Sequence, residues 1–214
     1  MSKRIPLAAE GWLFIIPAIL LAAAALLTQW YIAAIIFGAI AAFLLNFFRD
    51  PERRGSERHF DVLSPADGTV VQIKTIEDGA IWPGLTQQIS IFMSVFDVHV
   101  NRAPISGKIV HYRYTPGRRV AAWAEKSSEE NEQNLVVIES RGNVVALKQI
   151  AGLLARRIVF DRAEGDRVAQ GERIGMIRFG SRVDVFLPAN AEIAVAVREK
   201  VKVGVSVLAQ LKER

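Results

Sequence analysis

Apolar and polar positions change regime once along this chain. Residues 12–48 are almost wholly apolar, interrupted only at Thr28-Gln29-Trp30-Tyr31. One straight membrane helix takes about 20 residues, so the stretch is nearly twice too long for a single crossing. It predicts two helices, about 12–28 and 31–48, joined at the break. Trp30 and Tyr31 suit a membrane–water interface, and Gln29 does not belong in hydrocarbon. Lys3 and Arg4 precede the first pass, and Arg49, Arg53 and Arg54 follow the second. Both flanks are positive, which puts both on the cytoplasmic side and makes residues 1–50 a transmembrane helical hairpin. A cleaved signal peptide fits poorly, because it carries one short apolar core.

Beyond Pro51 the pattern becomes short and alternating. A polar juxtamembrane linker, residues 52–58, leads into runs rich in valine and isoleucine at 69–76, 88–93, 107–114, 134–139, 144–150, 173–179 and 183–187. Such runs predict half-buried strands. Only residues 149–157, and a second stretch at 122–130, look helical. Residues 51–214 therefore form a mostly-β domain. Within it, Ser64-Pro65-Ala66-Asp67-Gly68-Thr69-Val70-Val71 has an echo in Ala103-Pro104-Ile105-Ser106-Gly107-Lys108-Ile109-Val110. Each is a turn followed by a strand. A glycine-punctuated segment at 164–175 spells a hairpin loop. Recurring turn–strand units of this kind resemble the barrel-sandwich architecture of biotinyl and lipoyl carriers, a likeness of fold that does not assign function.

Composition narrows the chemistry. The 214 residues hold one ordinary domain plus the apolar appendage. Cysteine is absent, which excludes disulfides, thiolate metal sites and a thiol nucleophile. Three histidines make a histidine-rich metal centre a poor expectation, so no metal site is assigned. The net charge of +5 suits an anionic membrane surface. Aromatic-rich basic repeats are lacking, so nucleic acid is not an expected partner.

Four places could carry chemistry. At Gly180-Ser181 an unshielded glycine carbonyl precedes a hydroxyl, which suits an N→O acyl shift that cuts the backbone, although taken alone such a glycine more often marks a strand bulge or tight bend. Asp67 either caps its Pro-x-Asp-Gly turn or orients a base. His99 lies in Phe96-Asp97-Val98-His99-Val100-Asn101-Arg102-Ala103-Pro104, a polar cluster at a strand end that suits a site. Arg156 and Arg157 close the helix-like stretch, as dipole partners or phosphate ligands. His59 and His111 have structural or solvated contexts.

These segments occur in order: Ser64-Pro-Ala-Asp67-Gly, Phe96-Asp-Val-His99-Val-Asn-Arg-Ala-Pro104, Gln149-Ile-Ala-Gly-Leu-Leu-Ala-Arg-Arg157 and Arg178-Phe-Gly180-Ser181-Arg-Val-Asp-Val185. Together they resemble the short, archaeal-type branch of the phosphatidylserine decarboxylases, which are pyruvoyl enzymes. The likeness runs from about residue 51 to the end, and the apolar hairpin is of the kind the family carries. It implies cleavage between Gly180 and Ser181, giving paired fragments 1–180 and 181–214, with a pyruvoyl group made from Ser181 and no PLP. That group would form a Schiff base with the amine of phosphatidylserine and yield phosphatidylethanolamine, on the cytoplasmic side of the cell membrane. Asp67 and His99 become catalytic candidates; Arg102, Arg156 and Arg157 become candidates for substrate binding. Longer bacterial members have a second histidine where Arg102 stands. The activator of Ser181 is therefore open between His99 and Asp67 acting with another group.

The competing reading is a non-catalytic, membrane-anchored carrier or binding module of biotinyl-like fold. Such carriers present a modifiable lysine on a hairpin, and residues 166–172 contain none.

Overall fold

The computed structural model describes residues 6–56, 58–117, 131–152, 158–178 and 181–212. The chain forms two compact units, Met1–Glu52 and Arg53–Arg214.

In the first unit, α1 (Trp12–Leu27) and α2 (Tyr31–Phe47) form a helical hairpin. The break falls where the polar interruption predicts it. Gln29 takes a left-handed φ of 59°, and the Trp30 N–H closes on the Ala25 carbonyl at 2.8 Å. At the other end, the Ala8 N–H donates to the Phe48 carbonyl and the Asp50 N–H to the Pro6 carbonyl, both at 2.8 Å. The entry and exit strands thus meet, as a hairpin requires. With its preceding 3-10 turn, α1 spans the 19 residues Ala9–Leu27, long and apolar enough to cross a membrane; α2 has 17. Leucines and isoleucines cover the outer faces, including Leu13, Leu20, Ile32 and Ile35.

The second unit is mostly β. Its strands are β1 (Asp61–Leu63), β2 (Gly68–Thr75), β3 (Leu85–Met93), β4 (Val100–Arg102), β5 (Gly107–Thr115), β6 (Gln133–Ser140) and β7 (Asn143–Ala151). There follow β8 (Ile158–Phe160), β9 (Arg167–Val168), β10 (Arg173–Ile177), β11 (Ser181–Pro188), β12 (Glu192–Ile193), β13 (Lys200–Val201) and β14 (Val207–Gln210). An antiparallel eight-stranded sheet runs β13-β2-β3-β11-β7-β6-β5-β9, with two three-stranded sheets, β1-β14-β12 and β4-β10-β8. One face of the large sheet presents Val70, Ile89, Ile91, Val136, Leu147, Val183 and Val185 to the main core. This alternation of buried and outward positions is the period-2 signal of the sequence.

The sequence echo is a structural repeat. Gly68 opens β2 and Gly107 opens β5, and each glycine lies against a neighbouring carbonyl. A Cβ at Gly68 would meet the Phe92 oxygen at 2.1 Å, and one at Gly107 the Glu139 oxygen at 2.3 Å. Each strand then pairs on one side with a long strand, β3 or β6, and on the other with a two-residue strand, β13 or β9. The large sheet therefore consists of two similar halves meeting at β11 and β7.

Two expectations are corrected. Residues 149–151 are not helical but complete β7, flanked by β11 and β6. A central strand buried on both faces shows a continuous apolar run, which periodicity does not separate from a buried helix. Residues 153–157, like the second helix-like stretch at 122–130, lie outside the described residues. Nor are residues 52–58 merely a linker. Arg53 and Ser56 hydrogen-bond Asp67 and Asp61 within the β unit.

Candidate functional site

Ser181 is the first residue of β11, pinned between Met93 of β3 and Ala151 of β7. It is fully buried, and its hydroxyl donates to the Met93 sulfur at 3.2 Å. A thioether is a weak acceptor, so this hydroxyl is not committed to a strong partner. Gly180 lies outside the described residues, as do Arg156 and Arg157.

His99, also fully buried, directly precedes β4. Its Nδ1 lies 3.0 Å from the Asp97 carbonyl. A carbonyl can only accept, so this bond places the proton on Nδ1 and makes Nε2 the basic nitrogen of the neutral ring. The backbone around it is held firmly. Asp97 Oδ2 accepts the Ser94 N–H at 2.8 Å, and the Ile177 N–H donates to the His99 carbonyl at 3.2 Å. Ile177 ends β10, four positions before Ser181.

Asp67 does more than cap its turn. Arg53 grips both carboxylate oxygens, at Oδ1 through Nη1 and at Oδ2 through Nη2, the latter at 3.0 Å. Oδ1 also accepts the Val203 N–H at 2.7 Å, and Oδ2 the Val98 N–H at 3.4 Å. Asp67 thus ties the turn of the first repeat to the backbone immediately before His99. A buried carboxylate needs this combination of opposite charge and N–H donors.

Three further residues belong to the cluster. Asn101 donates through Nδ2 to the Pro65 carbonyl at 3.1 Å, with the Met93 sulfur at 3.9 Å. Its Oδ1 accepts from Gln149 Nε2 at 2.6 Å. All three side chains are fully buried. Met93 is therefore a hinge between the Ser181 hydroxyl and an amide pair reaching across the core. Beside Gln149 on β6 lies Asn134. Gln149 Oε1 and both amide atoms of Asn134 have no hydrogen-bond partner among the described residues. Buried amides left incomplete are uncommon and point to a working site. Arg102 stands apart from this cluster's core, donating from Nη1 to the Gly171 carbonyl at 3.0 Å.

The structure thus brings Ser181, His99 and Asp67 onto adjoining elements. Arg53, Met93, Asn101 and Gln149 join them without having been singled out as site residues. Their signal was available for two: a polar residue in a core-facing strand position, as at Asn101 and Gln149, is costly unless it bonds. Nothing local marks Arg53, whose partner lies 14 positions on.

The phosphatidylserine decarboxylase family model matches residues 40–209. Among curated relatives, the phosphatidylserine decarboxylase proenzyme of Magnetococcus marinus is 44% identical over 214 residues, covering 99% of this chain and 98% of its own. The protein of the same name from Symbiobacterium thermophilum is 42% identical over 210 residues, covering 98% and 97%. A match of this extent means that the chain belongs to the phosphatidylserine decarboxylase family.

Proposed function

We propose that this protein cuts itself between Gly180 and Ser181 and then decarboxylates phosphatidylserine to phosphatidylethanolamine. The observation that carries the reading is a buried serine at the start of β11 whose Met93 partner also meets Asn101 on β4, the strand that His99 directly precedes, in a chain whose relatives are named proenzymes.

In the cutting step, the Ser181 hydroxyl adds to the Gly180 carbonyl, and the peptide nitrogen leaves to give an ester. Loss of the Ser181 α-proton then expels the Gly180 carboxylate and leaves dehydroalanine at the new N-terminus. Its hydrolysis releases ammonia and leaves a pyruvoyl group. The residues around Ser181 suit this chemistry. The hydroxyl's thioether partner leaves its proton available, the surrounding core excludes bulk water, and His99 supplies a basic Nε2 on a fixed backbone. Asp67 acts through position: it holds the Val98 N–H, while Arg53 grips and orients the carboxylate. Asn101 and Gln149 fix Met93 and the start of β4.

A pyruvoyl group held at the head of β11, where Ser181 stands, would supply a carbonyl able to bond the substrate amine as a Schiff base and an electron sink for loss of carbon dioxide. His99 can then hold or return a proton at the reacting carbon. The hairpin, with its leucine- and isoleucine-covered surface, supports attachment to the cell membrane, and the positive flanks support a cytoplasmic location for the β unit. A carrier role is disfavoured. The hairpin at 166–172 has no lysine, and Gln170 Nε2 is turned inward to the Pro104 carbonyl at 3.2 Å.

The test is Ser181→Ala, analysed by denaturing gel and intact mass. The parent should give fragments 1–180 and 181–214, the second 17 Da-scale lighter than its encoded form by loss of ammonia, on the order expected for a serine-to-pyruvoyl change. The variant should remain one chain and release no carbon dioxide from phosphatidylserine. Normal cutting of the alanine variant at this bond would refute the proposal.

A further inference from the structure

The second repeat carries a site of its own. Position by position, Pro104, Ser106 and Gly107 take the places of Pro65, Asp67 and Gly68. The correspondence extends to hydrogen bonds. The Val203 N–H, two residues beyond β13, donates to Asp67 at 2.7 Å; the Gln170 N–H, two residues beyond β9, donates to Ser106 Oγ at 2.9 Å. In the first half, a carboxylate fills this position and Arg53 neutralises it. In the second half, the carboxylate is shortened to a hydroxyl, and a cleft of about 470 Å³ opens there, lined by Ser106, Lys108, Glu139, Arg141 and Arg167 among others.

Three cations meet one carboxylate around this cleft. Lys108 lies directly opposite Arg167 across β5–β9, a like-charge pairing that opposes strand association. At the matching place in the first half, an uncharged Thr69 faces Lys200. Arg141 adds a second cost. It occupies the two-residue turn between β6 and β7 with a φ of 49°, followed by Gly142 at 77°. Turns with both central residues left-handed favour Asn, Asp or Gly at the position where this arginine sits. None of Lys108, Arg141 and Arg167 makes a side-chain hydrogen bond or ion pair with another described residue. Local strain and repulsion concentrated around one cleft are features of a binding site. Ser106 adds specificity: its oxygen accepts from Gln170, which leaves its O–H to donate.

We propose that this cleft binds a phosphate-bearing anion, with Lys108, Arg141 and Arg167 as its cationic wall and Ser106 as a hydroxyl donor. It is separate from the cluster at Ser181. The nine residues of β7 run from Asn143, beside the Arg141 turn, to Ala151, opposite Ser181, roughly 26 Å along the strand. The anion can be free phosphate or the phosphodiester of an anionic lipid headgroup.

The test uses the full chain in neutral detergent micelles, comparing wild type with the triple variant K108Q/R141N/R167Q and with Arg141→Asn alone. Thermal unfolding is followed with inorganic phosphate against chloride at matched ionic strength, and with phosphatidylglycerol against phosphatidylcholine doped into the micelles. Matching ionic strength matters, because any salt screens the repulsion. Wild type should be stabilised by phosphate, by phosphatidylglycerol, or by both, and the apparent affinity should fall about tenfold or more in each variant. A response to phosphate identifies a small soluble anion as a ligand, and a response only to phosphatidylglycerol identifies the lipid. Equal responses of wild type and both variants in every condition would overturn the proposal. Self-cleavage, read on the same samples by gel, is expected to be unchanged, so failure here is distinguishable from failure of the decarboxylase reading.

Discussion

Removing the Arg53 side chain tests the link between the start of the β unit and its site. In Arg53→Met, the aliphatic stem is largely retained and the charge is lost, leaving the Asp67 carboxylate with only the Val98 and Val203 N–H groups. Breaking a buried ion pair from one side costs about 3–5 kcal/mol. Here the side chains keep 17% and 10% exposure, and the two N–H donors remain. The expected loss is therefore smaller, about 2–3 kcal/mol. For a unit of this size it lowers the unfolding midpoint by roughly 4–12 °C. Cutting should slow as well, because Asp67 holds the backbone before His99. Stability is best measured in a Ser181→Ala background, which keeps every sample in one covalent state, and cutting in the native background by timed gels. Arg53→Lys should recover part of both, since it restores charge but not the two-pronged grip. An Arg53→Met protein with a midpoint within about 1 °C of its parent and unaltered cutting would show that the pair neither stabilises the fold nor positions the site.

Two further outcomes are expected. Gln149→Leu removes the donor to Asn101 and also an unsatisfied buried oxygen, so stability should change by no more than about 1 kcal/mol while cutting slows; chemical denaturation and timed gels separate the two effects. A protein lacking residues 1–52 should still cut itself but should lose far more activity on bilayer phosphatidylserine than on a detergent-dispersed, short-chain form, as assayed by carbon dioxide release on both substrates.

Much of this was legible from pattern alone. The polar break at residues 28–31 separates two helices because a turn in an apolar hairpin must satisfy its backbone there, and Gln29 adopts the left-handed turn. The strand runs are visible because one face of the large sheet packs the core while the other is more polar. Legibility fails where burial is two-sided. Residues 149–151 lack alternation for that reason, and β11 begins at Ser181 rather than at 183 because even its first residue is enclosed. It also fails for long-range partners. Arg53 carries the same positive charge whether it flanks a membrane segment or pairs with Asp67, and local sequence cannot separate those roles. The short strands β1, β4, β9, β12 and β13 have too few residues to show any period.

The repeat explains why the two ends of one sheet can carry different chemistry. Phe92 lies opposite Thr69 at the start of the first half, and Glu139 opposite Lys108 at the start of the second. The next residues along, Met93 and Ser140, pair with Ser181 and Asn143, which begin β11 and β7. Asn143, which follows Gly142 in sequence, thus stands in register where Ser181, which follows Gly180 in sequence, stands in the other half. Asparagine has no hydroxyl to accept an acyl group, so the proposed cutting chemistry has no counterpart at this end. The charges diverge in the same direction. The first half encloses its anion as Asp67, matched by Arg53 and kept in the core, whereas the second has replaced it with Ser106 and left its cations facing a cleft. A buried, self-neutralised carboxylate positions chemistry within the protein. An open set of three cations facing a single carboxylate leaves that anionic place to be filled from solution or from a membrane surface.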